Sequence, residues 1–223
     1  MENTRTKTTR NSLILLLTAA IWGMAFVSQS KGMDYMHPFT FNGVRSLIGA
    51  ASILVYILIS RKIAGDKAAP LDWKLNVKAG LLCGIFLTIA STLQQFGIKY
   101  TSVGKAGFIT TLYIIFVPMF GIFLKKKVAP VVWAAAVMAA VGMYLLCMTE
   151  SLRLGAGDIM VFLCAIAFAI QIMTVDHYAA RIDGAVVSCI QFTVCGVVCC
   201  IGALIWGQPT FGQLQEGLGA LLY

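Results

Sequence analysis

Residues 101–124 read TSVGKAGFITTLYIIFVPMFGIFL, and Lys125, Lys126 and Lys127 follow at once. At about 1.5 Å per residue, a helix over this stretch reaches roughly 36 Å, against about 30 Å of bilayer hydrocarbon. Gly104, Gly107, Thr111, Pro118 and Gly121 recur at spacings of three, four and seven. That spacing predicts a stripe of small residues on one helical face, where a neighbouring backbone can approach closely. Thr110, Tyr113 and Val117 make a second stripe with polar tips. Pro118 has no amide hydrogen for the carbonyl of Ile114, so a helix kink is expected at Pro118. Two readings stand side by side: a tightly packed bundle helix, or a helix that lines a cavity.

Composition sets the class. The chain has 223 residues, 59% hydrophobic and 12% charged, whereas soluble domains carry about twice that charged share. The expected fold is an all-α integral membrane protein, a polytopic bundle of about seven transmembrane helices. The apolar runs are 13–30, 39–60, 75–98, 101–124, 131–147, 158–178 and 185–206. Turn and cap residues mark the breaks: His37-Pro38, Pro70, Pro130, the GAGD of 155–158, and Gln208-Pro209. The very short break at 99–100 predicts that the third and fourth helices are antiparallel neighbours.

The net charge of +8 does not point to nucleic acid, because the basic residues cluster between apolar runs. With sides alternating, one side holds Arg5, Lys7, Arg10, Arg61, Lys62, Lys67, Lys74, Lys78, Lys125, Lys126, Lys127 and Arg181, which is twelve. The other holds Lys31, Lys99, Lys105 and Arg153, which is four. The positive-inside bias puts the tail 1–12 in the cytoplasm and residue 223 on or near the opposite side. The first run has no small-residue cleavage site after it and reads as a retained helix. Trp73 and Trp133 fall at the inner interface and Trp206 at the outer one, while Trp22 lies near mid-membrane. The lipid bilayer is thus the first partner.

Seven cysteines, Cys83, Cys147, Cys164, Cys189, Cys195, Cys199 and Cys200, all lie within apolar runs and form no CxxC pair. They read as thiols filling helix interfaces, not as a disulfide or zinc framework. Two isolated histidines offer no metal-ligand spacing, and no cofactor motif is present: GAGD at 155–158 sits between spans, with Asp158 read as an N-cap. His37 reads as a turn cap. Asp176 and His177, near Arg181, form a solvated loop cluster or a proton relay. Nothing resembles a Ser-His-Asp or paired-carboxylate arrangement, so an enzyme is not expected.

Sliding the chain over itself by 146 residues lays 17–51 over 163–197 without a gap. Trp22 meets Phe168, Ala19 meets Ala165, Pro38 meets Gly184 and Arg45 meets Gln191. The unit would hold five helices, and an odd number inverts the second copy, an architecture of secondary transporters with a mid-membrane site between copies. Under this shift the third helix maps onto 221–244 and the fourth onto about 247–270. The chain therefore reads as truncated, short of about three helices, with its second repeat incomplete.

LTAAIWGMAFVSQS at 17–30, Asn42-x-x-Arg45, and above all LQQFGIKYTSVGKAGFITTLYIIFVPMF at 93–120 resemble the EamA family of the drug/metabolite transporter superfamily. The resemblance divides the chain into the tail 1–12, a first EamA-like repeat at 13–147 and a partial second repeat at 158–223. It implies a ten-helix inner-membrane transporter that exports or imports small metabolites, such as amino acids or related organic solutes, by alternating access. The alternative is a non-transporting subunit or inactive fragment, with a second copy or a partner supplying the missing helices.

Thr18, Trp22, Ala25 and Gln29 share one face of the first helix, and the repeat places Gln171 over Ala25. Thr88, Ser91 and Gln95, with Gln94 beside them, face inward from the third helix, and Thr110 and Tyr113 from the fourth. Together they would line a mostly apolar cavity with a few hydrogen-bonding tips, suited to a small-molecule substrate; the plainer reading is interhelical hydrogen bonding, worth ~0.6 kcal/mol each. Arg45 lies six residues, roughly 9 Å, into the second helix. A charge there wants a partner, and Asn42, a carbonyl, water, an anionic substrate group, or snorkelling to the interface would each serve.

Overall fold

Inside a bilayer every backbone amide and carbonyl must find a partner within its own segment, and a helix does this unaided. A computed structural model describes residues 4–65, 71–125, 128–147 and 155–222. Among them there are helices and no strand: α1 Thr4–Tyr35, α2 Pro38–Ala64, α3 Trp73–Tyr100, α4 Val103–Thr111, α5 Tyr113–Phe123, α6 Pro130–Cys147, α7 Ala156–Tyr178, α8 Gly184–Gly202, α9 Phe211–Glu216 and α10 Leu218–Leu222. Lys67, Pro70, Lys126, Lys127 and Arg153 lie outside the described residues.

Six of these stretches are long and apolar enough to cross a membrane: Thr9–Tyr35, Pro38–Ala64, Trp73–Tyr100, Val103–Phe123, Ala156–Arg181 and Gly184–Gly207. The protein is a polytopic helical membrane protein. The run at 131–147 forms α6, whose apolar portion Pro130–Gly142 is shorter than the others. Polar residues start the helices where the sequence places them. The His37 side chain accepts from the Phe39 amide, Asp72 from Leu75, Ser102 from Lys105, and Asp183 from Ala185 and Val186. The cap of α7 differs from expectation: Gly155 is the N-cap, and Asp158, three residues on, reaches back to the Gly155 amide at 2.9 Å.

The core is built from α2, α3, α7 and α8. α3 packs along α7 and α8, and α8 lies along α2. Small residues permit this. A Cβ on Gly97 would stand 2.9 Å from the Gly157 carbonyl oxygen, one on Gly43 3.0 Å from the Cys200 amide nitrogen, and one on Gly84 3.2 Å from Cα of Gln191. The expected close approach along the fourth run does not occur at its first two glycines. Gly104 is exposed and a Cβ on Gly107 would meet nothing within 4 Å, although Pro118 and Gly121 are buried. Nor are α3 and α4 extended neighbours. They are joined as far as the Gln94–Thr110 hydrogen bond at the end of α4, and both pack on α7.

The kink also moves. The helix is interrupted at Leu112, which divides α4 from α5, while buried Pro118 sits inside α5. Leu112 donates to Ile109 and Ile115 donates to Leu112, so the ladder tightens to a three-residue spacing. The distortion falls beside the Ile114 carbonyl that the proline leaves without an amide, one turn ahead of the ring. Beyond α8, a π-helical turn at Ala203–Gly207 ends at Gln208, whose φ is 39°. The chain then doubles back onto α1, where the Ser28 hydroxyl donates to the Ala220 carbonyl at 2.8 Å and Leu221 packs on Met36 and Phe41.

Candidate functional site

Gln94 and Gln95 are adjacent on α3 and point to different neighbours. Gln94 Nε2 donates to the Thr110 hydroxyl on α4 at 3.2 Å, and Gln95 Nε2 donates to the backbone carbonyl of Gln29 on α1 at 3.1 Å. All four side chains are buried, Gln95 with 0% exposure. The Gln95 carbonyl oxygen has no hydrogen-bond partner among the described residues. An acceptor left unpaired in an apolar interior costs about 1–3 kcal/mol. The group is surrounded by apolar side chains: Ile98, Ala106, Ile109 and Val161 pack together beyond it, and Ala90, Cys164, Ala167 and Phe168 on its other side. Tyr113, half-buried, packs on the second of these clusters. Two buried hydrogen bonds thus tie α3 to its neighbours, one to the Thr110 hydroxyl of α4 and one to the Gln29 backbone carbonyl of α1.

The other sequence candidates lie elsewhere. Trp22 is 52% exposed and Thr18 is exposed, so only Ala25 and Gln29 of that α1 stripe face the interior. The reason is that α1 makes few contacts along its first half, where residues 13–17 are all exposed. Gln171 donates to Gln191 of α8 at 3.0 Å, and Gln191 abuts Gly84. That level of α3 is eleven residues, about 16 Å, from Gln95. Arg45 is half-buried, with its guanidinium 5.8 Å from the Phe41 ring centroid. Gly43 and Leu47 face α8, so the intervening Arg45 points to the opposite side of α2. Asn42 donates to the Ser91 carbonyl at 2.9 Å and so ties α2 to α3.

Several pairings carry no signal in the sequence. Lys105 Nζ lies 3.7 Å from buried Asp158, which also accepts from the Thr101 hydroxyl, clamping the α3–α4 turn to the start of α7. At the other end Arg61 pairs with Asp183 at 3.5 Å, and Asn76 accepts from the Asp183 amide at 2.9 Å. Ser46 and Ser91 each lie 3.4 Å from the Cys195 sulfur. All of these link residues far apart in the chain. At the end where α5 and α7 finish, a cavity of about 480 Å³ opens between Leu82, Phe120, Phe123, Ile170, Met173 and His177. His177 stands edge-on to Tyr178 at 4.8 Å. No group of three or more histidine, cysteine or acidic side chains gathers as for a metal among the described residues.

Residues 10–148 match the model of the EamA-like transporter family. The chain belongs to that family. It is also 31% identical over 171 residues to a protein of Archaeoglobus fulgidus named an uncharacterized transporter; the match covers 74% of this chain and 48% of that one. The chain thus spans about half the length of the curated relative it matches. EamA membership together with six membrane-crossing stretches makes this a multi-pass membrane protein of a transporter family, and points away from catalysis. The match takes in most of α1 and all of α2 to α6, and includes Gln29 of α1, Gln94 and Gln95 of α3, and Thr110 of α4.

Proposed function

We propose that this protein is a secondary transporter of small metabolites in the cell (inner) membrane, with its N-terminus in the cytoplasm. The substrate is an amino acid or a related organic solute, carried out or in by alternating access. The observation that carries this reading is the buried amide cluster. In a transporter family, Gln29, Gln94, Gln95 and Thr110 gather in an apolar bundle and keep one acceptor oxygen unpaired. A substrate N–H would satisfy it. No cofactor or metal enters this reading.

The two-repeat architecture is part of the proposal, and the helix boundaries support it. His37 and Asp183, each an N-cap, are 146 residues apart, as are the helix starts Pro38 and Gly184. α2 and its counterpart α8 run antiparallel: Gly43 abuts Cys200, Gly196 abuts Leu47, and Arg61 pairs with Asp183. Copies related by a two-fold axis in the membrane plane would pack this way. Rocking of one copy against the other would expose the amide cluster to each side in turn. Helices matching α3 to α6 in the second copy would come from a longer chain, a second copy or a partner.

The test is an uptake and efflux screen of amino acids and related solutes in proteoliposomes, with the chain alone and with any further spans its reading frame encodes. Wild-type protein should move at least one class of solute, and Gln95→Leu should abolish that movement while remaining folded. Transport by Gln95→Leu with unchanged KM would remove the cluster from the substrate path.

A further inference from the structure

The open cavity at the end of α5 and α7 plays no part in the site proposed above. At about 480 Å³ it falls within the ~300–1,000 Å³ range of small-molecule sites. Its walls are apolar and aromatic: Leu82 of α3, Phe120 and Phe123 of α5, Ile170 and Met173 of α7. Phe116 extends the aromatic wall, stacked on Phe120 at 6.1 Å. The Thr174 hydroxyl, also at the wall, donates to the Ile170 carbonyl and so presents little polarity. Phe123 and Leu124 are largely exposed on the outer surface of the bundle, so the cavity opens sideways toward the bilayer.

The rim has the opposite character. Lys125 directly follows the wall residue Leu124, and its φ of 57° turns the chain at that point. Lys78 lies one turn before Leu82 on the same face of α3. Arg181 ends the short 3-10 turn that follows Tyr178. All three cations are exposed. On the acidic side, Asp72 and Asp183 at this end are helix caps, Asp183 is also held by Arg61, and Asp176 neighbours His177. An apolar groove open to lipid and edged by excess positive charge fits an amphiphile with an anionic head.

We infer that this groove holds an anionic phospholipid, with an acyl chain between Leu82, Phe123 and Met173 and the phosphate against Lys78, Lys125 and Arg181. The headgroup choice comes from the rim and the depth of seating from the aromatic wall. A lipid bound here wedges between α5 and α7, independently of whether Gln95 binds a solute.

Native mass spectrometry of the full purified chain tests this, by titration with dioleoyl-phosphatidylglycerol and, separately, dioleoyl-phosphatidylcholine. Phosphatidylglycerol should bind at least tenfold more tightly. Each of Lys78→Gln, Lys125→Gln and Arg181→Gln should weaken it about fivefold and leave phosphatidylcholine unchanged. Thr174→Trp, which fills the groove, should weaken both lipids, and its thermal midpoint reports that the fold persists. Equal binding of the two wild-type titrants would overturn the inference, even if a variant failed to fold. So would a triple variant that retains its preference for phosphatidylglycerol. Full displacement of phosphatidylglycerol by equimolar dodecyl phosphate would assign the groove to a water-soluble amphiphile instead.

Discussion

Asp158→Ala should be among the most destabilising single changes in this chain, and its size follows from the contacts. The carboxylate is buried, 4% exposed, and accepts from the Gly155 amide and the Thr101 hydroxyl. Lys105 stands 3.7 Å away with its side chain 20% exposed. Removing one partner of a buried pair costs about 3–5 kcal/mol, because the other charge stays behind. The partial exposure of Lys105 lets water recover some of that, so the loss should lie near ~3 kcal/mol. For a protein of this size each kcal/mol is worth about 2–4 °C in the thermal midpoint, which gives a fall of ~6–12 °C. A thiol-reactive dye reads unfolding in detergent, since Cys83, Cys164, Cys195 and Cys199 are all buried. The double variant with Lys105→Met should recover part of the loss, as the stranded charge is gone. A fall under 2 °C for Asp158→Ala, or single effects that simply add in the double variant, would refute the clamp.

Three further outcomes follow from the same contacts. Gly157→Val should lower the midpoint by several degrees, because its Cβ would stand 2.8 Å from the Gly97 carbonyl oxygen, whereas Gly107→Ala should raise helix stability by up to ~1 kcal/mol since its Cβ meets nothing; thermal scans of the pair check both signs. Gln95→Leu should leave the stability within about 1–2 kcal/mol of wild type or raise it, since it deletes an unpaired buried oxygen along with one hydrogen bond; a large fall in the thermal midpoint would show that the cluster is structural glue. His37 should make stability pH-dependent. Burial, reinforced by the nearby Lys99 charge, lowers its pKa from 6.5, so the unfolded chain takes up the proton first. The His37 contribution is therefore fully present above pH 6.5 and is lost as pH falls below it; the midpoint should drop between pH 7.5 and 5 more in wild type than in His37→Asn.

The membrane class, the positions of the long helices and the family were all legible in the sequence. Each rests on a property of one segment alone. Whether 18 or more residues partition into hydrocarbon depends on their summed apolarity and hardly on their neighbours. The cap at His37 was local in the same sense. The pairing of helices was not. Gly107 follows Gly104 by three residues and Gly84 follows Gly80 by four, both small-residue spacings that suit close packing, yet a Cβ on Gly107 would meet nothing whereas those on Gly80 and Gly84 would meet Ile190 and Val194.

The candidate site shows the same division. The sequence put Trp22, Gln29, Gln94, Gln95, Thr110, Tyr113 and Gln171 on faces that would line a cavity, and left Arg45 between a bundle partner, an anionic substrate group and the interface. The structure gathers Gln29, Gln94, Gln95 and Thr110, with Tyr113 packed nearby, and sends Trp22, Arg45 and Gln171 to three other surroundings. Helical periodicity says which residues share a face of one helix, and nothing in it says which helix lies opposite or at what height. That is decided by where small residues let backbones close together, as at Gly97 with Gly157 and Gly43 with Cys200. Summed apolarity was enough to mark this chain as a membrane protein and to locate its long apolar segments. Only the tertiary packing decided which polar groups meet, because interhelical contacts depend on surfaces from distant parts of the chain fitting at the same depth.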